Sequence, residues 1–449
     1  MLDDVRQKDK ADAQRRVDEA FLQKDAYFDP AFARLEAERL WPRVWQVACR
    51  LEEIPRVGDF VTYEIVDDSI LVVRTADDTI KAYHNVCQHR GRRLMDQAGH
   101  TRIFVCRFHG WRWNLDGENT LVSDRKDWDG CLADDDIKLR QVRVATWGGW
   151  VFINMDPKAQ PFADYLAPVD ERCGKFEFEK MRYRWYKTFV FPCNWKIAVE
   201  AFNEAYHVQG THGQFLKWLD DYTVSETFGI HSAFFFPPMM EGQTRFSPSQ
   251  RTGVKPDKDL RPYVLAYYKE MHEQLHAMVT PRAYEAVQRL MAECPADATG
   301  GEIMLKVRQL VREAAEADGA GWPDLTPEYF AKSMNDWHVF PNFVFLHSNV
   351  DGMIAYRARP NGNNPESCIF DVWSLMRYAP GKEPPLKREF YEDYRTCDTG
   401  RVLQQDFANM ADVQKGIKSR GFPGARTNPV QEKPVANFHR VIRQYLSHS

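Results

Sequence analysis

Residues 85–117 read NVCQHRGRRLMDQAGHTRIFVCRFHGWRWNLDG. Their ligand-type residues follow C-x-H, sixteen intervening residues, then C-x-x-H, which singles out Cys87, His89, Cys106 and His109. Each loop offers one thiolate and one imidazole, so together the two loops can close a metal site. A structural zinc tetrahedron is one reading, because Cys2His2 sites are common. Zinc modules, however, usually gather both cysteines in one loop and both histidines in the other. One of each per loop suits a two-iron cluster in which two cysteines hold one iron and two histidines hold the other.

The surrounding texture is that of a small antiparallel β domain. Short β-branched runs such as DFVTYEIVDD, SILVVRTADD and WGGWVFINMD alternate with Asp-Asp and glycine turns between Val44 and about residue 160. Residues 1–43 carry mixed charge with apolar positions at helical spacing and are read as N-terminal helices interrupted by an Asp29-Pro30 turn. Residues 161–449 form a larger α+β domain. It opens on a strand, FEFEKMRYRWYKTFVF, and a helix, NWKIAVEAFNEAYHV, and has strand signals again at HVFPNFVFLHS, GMIAYRARP and SCIFDVWSLMRYAP. The stretch around REFYEDYRTCDTGRVLQQDFANMADVQKGI reads as helical, and 245–335 as a polar helical insertion or lid with loops at ECPADATGGE and ADGAGWPDLTPE.

Composition narrows the function classes. The chain has 449 residues, 44% of them hydrophobic and 28% charged, and a net charge of −4. That is an ordinary globular balance with no basic field for a phosphate backbone, so nucleic acid is not an expected partner. No run reaches the 18 or so apolar residues that cross a bilayer, so no membrane partner is expected either, and a charged start gives a cytoplasmic reading. Nine scattered cysteines do not form a disulfide framework.

With its HRG at 89–91 and HGWRWNLDG at 109–117, the first segment resembles the Rieske [2Fe-2S] domain of the Rieske non-heme iron oxygenases, the ring-hydroxylating oxygenase α subunits. VWQVACRLEEIPRVGDFVTYEIVDDSILVVR matches the early strands of that domain. The resemblance implies an N-terminal all-β Rieske domain followed by a helix-grip catalytic domain with an antiparallel sheet, α+β overall.

A second constellation lies about a hundred residues on. NWKIAVEAFNEAYHVQGTH contains Glu204, His207 and His212. Glu204 and His207 share a helix face. His207 and His212 stand about 140° apart on a regular helix, so they can hold one ion only if the helix breaks between them, and Gly210 sits where that break is needed. Buried histidines with ordinary partners are the plain alternative. Two imidazoles and one carboxylate form the facial triad of mononuclear iron(II) oxygenases. The family's iron motif, including the leading NWK, resembles this segment and makes His207 and His212 ligands of Fe2+. QQDFANMADVQKG resembles the region of the third ligand, implying Asp406, with Asp412 as the fallback.

The resemblance further assigns Glu204 the carboxylate bridge between His207 and His109 of a neighbouring subunit. Most relatives carry Asp there, and monooxygenases of quaternary amines resemble this chain in carrying Glu. Glu200, one turn earlier, is read as a structural or supporting carboxylate. Pocket candidates are Phe202, Val208, the run Phe234, Phe235 and Phe236 with Met239 and Met240, and Trp337, Phe343 and Phe345; ordinary core is the alternative for each.

The implied function is that of a terminal oxygenase component acting on an aromatic or other hydrophobic small molecule, with O2 and electrons from NAD(P)H. No G-x-G-x-x-G follows a strand here, so the nicotinamide chemistry is expected on a separate reductase, with or without a ferredoxin. A homotrimer, α3 with or without β subunits, is the implied assembly. Two alternatives are a monooxygenase or demethylase of an amine or aryl ether, and an electron-transfer or zinc-structured protein.

Overall fold

The computed structural model describes residues 21–236 and 245–447. The predicted helical positions within 1–20, and Met239 and Met240, lie outside the described residues. Two compact units divide the chain, one covering 34–167 and the other comprising the described residues from 21–33 and 168–447.

In the smaller unit a seven-stranded antiparallel sheet is built from β2 (Gln46–Arg50), β3 (Asp59–Ile65), β4 (Asp68–Ala76), β5 (Thr79–His84), β6 (Gly99–His100), β10 (Gln141–Trp147) and β11 (Trp150–Asn154), ordered β2-β11-β10-β5-β4-β3-β6. A three-stranded sheet, β7 (Phe104–Val105), β8 (Arg112–Trp113) and β9 (Asn119–Leu121), carries the second ligand loop. Phe104, Trp111, Trp113, Leu71, Val73 and Tyr83 form one buried cluster that also contains Cys87 and Cys106. The unit is β-rich because apolar residues on its short strands pack onto this core, with only short helical segments such as Glu36–Leu40 and Phe162–Leu166 beside it.

The larger unit is organised by one eight-stranded sheet. Its strands are β12 (Met181–Phe191), β13 (Val224–Phe228), β14 (His231–Phe235), β15 (Asp336–Val339), β16 (Phe343–Asn349), β17 (Gly352–Asn361), β18 (Asn364–Arg377) and β19 (Arg388–Tyr391), in the order β13-β14-β15-β16-β17-β18-β12-β19. All neighbours are antiparallel except β12 and β19. The helices Trp195–Glu200, Gly400–Ile417 and Lys433–Ser447 complete the α+β architecture, Trp195 and Phe438 meeting edge to face at 5.5 Å.

Four local expectations need correction. Phe21–Gln23 (β1) is a strand, paired with Gly424–Arg426 (β20), and not helix. Asp29-Pro30 starts a helix: the Asp29 Oδ1 accepts the Ala31 N–H at 2.7 Å and proline occupies the first turn, where its missing donor costs nothing. REFY, expected as helix, is β19, because edge pairing with β12 overrides local propensity. ECPADATGGE is only half loop: Thr299 and Glu302 form a capping box that starts the helix Gly300–Ala317.

Two buried histidines of the sheet predict an acid limit on stability. Burial pushes His338 down to about 3 and His347 down to about 4, from an ordinary 6.5. Below about pH 6.5 the unfolded chain binds protons that the folded chain refuses, so this stability is complete above that value and lost as pH falls toward 4. Two such groups should lower unfolding free energy by about 3–4 kcal/mol between about pH 7 and 5. Urea midpoints will show the drop, and His347→Gln should remove about half of it; a flat profile would contradict this account.

Candidate metal centres and cavity

The two ligand loops of the smaller unit are built alike. In each, the residue four after the cysteine is a glycine at positive φ, Gly91 at 72° and Gly110 at 76°. Its N–H donates to the cysteine carbonyl at 3.0 and 2.9 Å respectively. The cysteine N–H in turn donates to the carbonyl of the fifth residue on, Arg92 or Trp111, at 2.8 and 2.9 Å. Glycine is used at both turns because a side chain is strained there.

The loops bring thiol to thiol and ring to ring. The free thiols of Cys87 and Cys106 are hydrogen-bonded to each other, and the His89 and His109 rings meet edge on at 4.7 Å. His89 stacks on the buried Trp111 at 4.8 Å, and its Nδ1 is buried without a hydrogen-bond partner among the described residues. Burial pushes the Cys87 thiol up, aided by Cys106, and burial with the His109 and Arg90 charges holds His89 low, in its neutral, ligating form. A single ion would draw at least three ligand atoms close together. Among the described residues the one group of three or more such side chains with all ligand atoms within 4.8 Å is elsewhere. A paired arrangement of two thiols and two imidazoles, one imidazole nitrogen orphaned, therefore fits a two-iron cluster better than one tetrahedral ion.

That closer group is His207, His212 and Asp406. Asp406 Oδ1 lies 2.9 Å from His212 Nε2 and 3.6 Å from His207 Nε2, so all three donors converge. The backbone achieves this differently from the sequence expectation. The helix from Trp195 ends at Glu200, residues 201–207 run through turns, and a short helix Val208–Thr211 stops before His212, whose φ and ψ are −113° and 43°. Gly210 lies inside that short helix and is not the break.

The other nitrogen of each imidazole is fixed. His207 Nδ1 meets Glu204 Oε1 at 2.7 Å, and Glu204 Oε2 also accepts the His207 backbone N–H at 3.1 Å. His212 Nδ1 meets Gln405 Oε1 at 2.9 Å, and Gln214 Nε2 donates to the same oxygen at 2.8 Å. Both Nδ1 atoms thus donate, and the two Nε2 atoms are the ones turned toward Asp406 and available to a metal once unprotonated. Burial alone would depress His207, but the charge and hydrogen bond of Glu204 and the charge of Asp406 lift it to about 9. The donor set, two neutral-capable imidazoles and a buried carboxylate, fits a divalent iron with open positions.

Glu200 is engaged elsewhere, 3.1 Å from the Tyr27 hydroxyl and 2.6 Å from His439 Nε2. Asp412 points to solvent and pairs with Lys415 at 2.9 Å. Neither joins the triad.

A cavity of about 150 Å³ opens on the three donors. Phe202 and Val208 line it, but Phe235, Trp337, Phe343 and Phe345 do not. Strand parity is the reason. Phe234, Asp336 and Leu346 are register partners across β14, β15 and β16 and share the cavity face, so Phe235, Trp337, Phe343 and Phe345 point to the other side. There Trp337 donates to the Ser333 carbonyl at 2.8 Å and Phe345 packs on Phe178. The segment 245–335 supplies Arg245, Tyr267, Met271, Leu275 and Met278 to the wall. Sequence reasoning missed Gln405, Arg245 and Asp336; Gln405 alone carried a signal, as the neighbour of Asp406.

The profile described as Ring hydroxylating alpha subunit (catalytic domain) matches residues 178–448, and that of the Rieske [2Fe-2S] domain matches 44–129. The glycine betaine monooxygenase oxygenase subunit of Pseudomonas aeruginosa is 32% identical over 221 residues, 47% of this chain and 50% of that protein. The chain thus spans about half the length of these relatives. The biphenyl dioxygenase subunit alpha of Metapseudomonas furukawaii is 30% identical over 428 residues, 92% of this chain and 82% of that one. Among solved structures, a quaternary ammonium Rieske monooxygenase in complex with L-carnitine superposes with TM-score 0.62 at 17% identity, covering 95% of each chain. Naphthalene 1,2-dioxygenase with indole bound superposes with TM-score 0.61 at 20%, covering 96% of this chain and 93% of that one. These two likenesses are of fold.

Proposed function

Because this chain belongs to the ring-hydroxylating alpha subunit family and carries a Rieske [2Fe-2S] domain, we propose that it is a terminal oxygenase component that hydroxylates an aromatic or other hydrophobic small molecule. Cys87, His89, Cys106 and His109 hold the [2Fe-2S] cluster, and His207, His212 and Asp406 hold Fe2+. Bound there, the cluster supplies electrons one at a time and the ferrous ion supplies the centre at which dioxygen reacts. The electrons come from NAD(P)H through a separate reductase, with or without a ferredoxin, in the cytoplasm. The working assembly is a homotrimer, with or without β subunits.

The observation that carries this reading is the convergence of two Nε2 atoms and a carboxylate oxygen on a largely apolar cavity. Glu204 and Gln405 keep the imidazoles in the ligating tautomer. Phe202, Phe234 and Tyr356 present a dry surface against which an apolar substrate can lie.

A second reading, a monooxygenase or demethylase of an amine or aryl ether, is favoured by Glu204 and by the glycine betaine and carnitine monooxygenase relatives. Against a quaternary ammonium cage, Phe202 and Tyr356 stack on each other at 4.1 Å, so their facing surfaces are already used. The test is metal analysis followed by turnover under labelled dioxygen with a surrogate reductase. About three irons and two labile sulfides per chain are expected. Two labelled oxygens in one product indicate a dioxygenase, one indicates a monooxygenase, and an unlabelled dealkylated product with an aldehyde released indicates a demethylase. Zinc in place of iron, or neither a labelled product nor a dealkylated product with its released aldehyde, would overturn the proposal.

A further inference from the structure

Among the described residues, Arg245 is the only arginine or lysine in the cavity wall. Its guanidinium lies 4.3 Å from the ring centre of Phe236, 4.8 Å from that of Phe246 and 5.8 Å from that of Tyr267. No described carboxylate pairs with it; the groups that act on its charge are Tyr267 and Tyr268, and burial pulls its pKa down. Arg308, on the helix Gly300–Ala317, is a second guanidinium in the same condition. It stacks on Phe330 at 3.7 Å, and its charge opposes that of Arg245. Both act on Tyr268. The Tyr268 hydroxyl donates to Asn349 Oδ1 at 3.0 Å, which leaves the Asn349 Nδ2 buried without an acceptor among the described residues. The nearby carboxylate of Asp351 is committed to Arg282 and Thr280.

Two like charges and an unmet amide donor, partly desolvated and without a counter-ion, are costly to hold together. An anion is the missing component. The competing cue in the cavity is Asp336, 2% exposed with neither oxygen hydrogen-bonded among the described residues. Burial and the Glu204 charge push its carboxyl well up, which favours the neutral form and withholds a counter-charge from any cation.

We propose that this cavity selects a substrate bearing a carboxylate, whose oxygens pair with the Arg245 guanidinium while its hydrophobic body lies along Phe202, Phe234 and Tyr356 beside the three iron-ligating residues. The planar, rim-stacked guanidinium is preorganised for two-point contact with a carboxylate. Arg308 and the Asn349 amide act behind it and raise the local positive potential. This rests on the oxygenase reading for its purpose, and deepens it by naming the substrate class.

Calorimetric titration of the holoenzyme with benzoate, benzamide and benzylamine, and with phenylacetate, phenylacetamide and phenethylamine, tests it. In at least one set the acid should bind about tenfold more tightly than the amide, and more tightly still than the amine. Arg245→Gln should erase that preference, the acid falling to about the affinity of its amide. Arg245→Lys should restore part of it, and Arg308→Gln should weaken it about threefold. An amide or amine binding as tightly as its acid in both sets, a preference that survives Arg245→Gln, or no acid binding at millimolar concentration overturns the proposal. Binding needs no turnover, so acid selectivity without labelled product would sink the oxygenase reading alone. Labelled product from the neutral probes without acid selectivity would sink this inference alone.

Discussion

Exchange of His207 for alanine is expected to cut product formation to about one-hundredth or less of the parent value, with the visible absorption of the cluster unchanged. His207 supplies one of three converging donors, and its loss leaves His212 and Asp406, 2.9 Å apart, as an incomplete set. It also strands Glu204, whose Oε1 accepts from His207 Nδ1 and whose burial then lacks that compensation. The four residues proposed to hold the cluster belong to the other compact unit, so the two iron populations should respond separately. Iron should fall by about one per chain and labile sulfide should not change. Asp412→Asn is the control: exposed and paired only with Lys415, it should alter activity by no more than about twofold. If the His207 variant kept its iron and its product, the triad would be misassigned. If Asp412→Asn matched its loss, the carboxylate ligand would be Asp412.

The difference between what the sequence revealed and what it concealed follows from the distance over which each feature is determined. The two ligand loops are local objects: cysteine, histidine and the turn glycine lie within five residues of one another, so their spacing is readable in the sequence. The pairing of His207 with His212 is also local, although the chain reaches it through turns at 201–207 instead of a break at Gly210. Asp406 comes from a helix far along the chain, and only the family resemblance pointed to it. The cavity was the least legible part. Whether Phe234 or Phe235 faces the triad depends on sheet register, which is set by partners on β13 and β15 and not by the FFF run itself. Arg245 and Asp336 had no local signature, since each is notable for what fails to surround it.

A second large effect is expected at Asp371, on the other face of the same sheet. Arg357 and Asp371 are register partners on β17 and β18, next to Tyr356 but on the opposite face from the cavity. Arg357 Nη2 and Nε reach Asp371 Oδ2 at 2.6 and 2.9 Å, and Thr188 on β12 donates to Oδ1 at 2.7 Å. Burial alone would raise the Asp371 carboxyl, but the Arg357 and Arg359 charges hold it low, so it stays ionised in the sheet interior. Asp371→Ala should therefore destabilise the larger unit by about 3–5 kcal/mol, because a buried guanidinium loses its counter-ion. Asp371→Leu combined with Arg357→Met should cost less than the single alanine change, since no orphaned charge remains. Urea titration measures both, and a single-variant loss below about 1 kcal/mol would contradict the account. Ligand affinity of the folded variants should be unchanged, because the pair supports the strands that carry Tyr356 without reaching the cavity; weaker binding in the double variant would show that the sheet transmits strain from one face to the other.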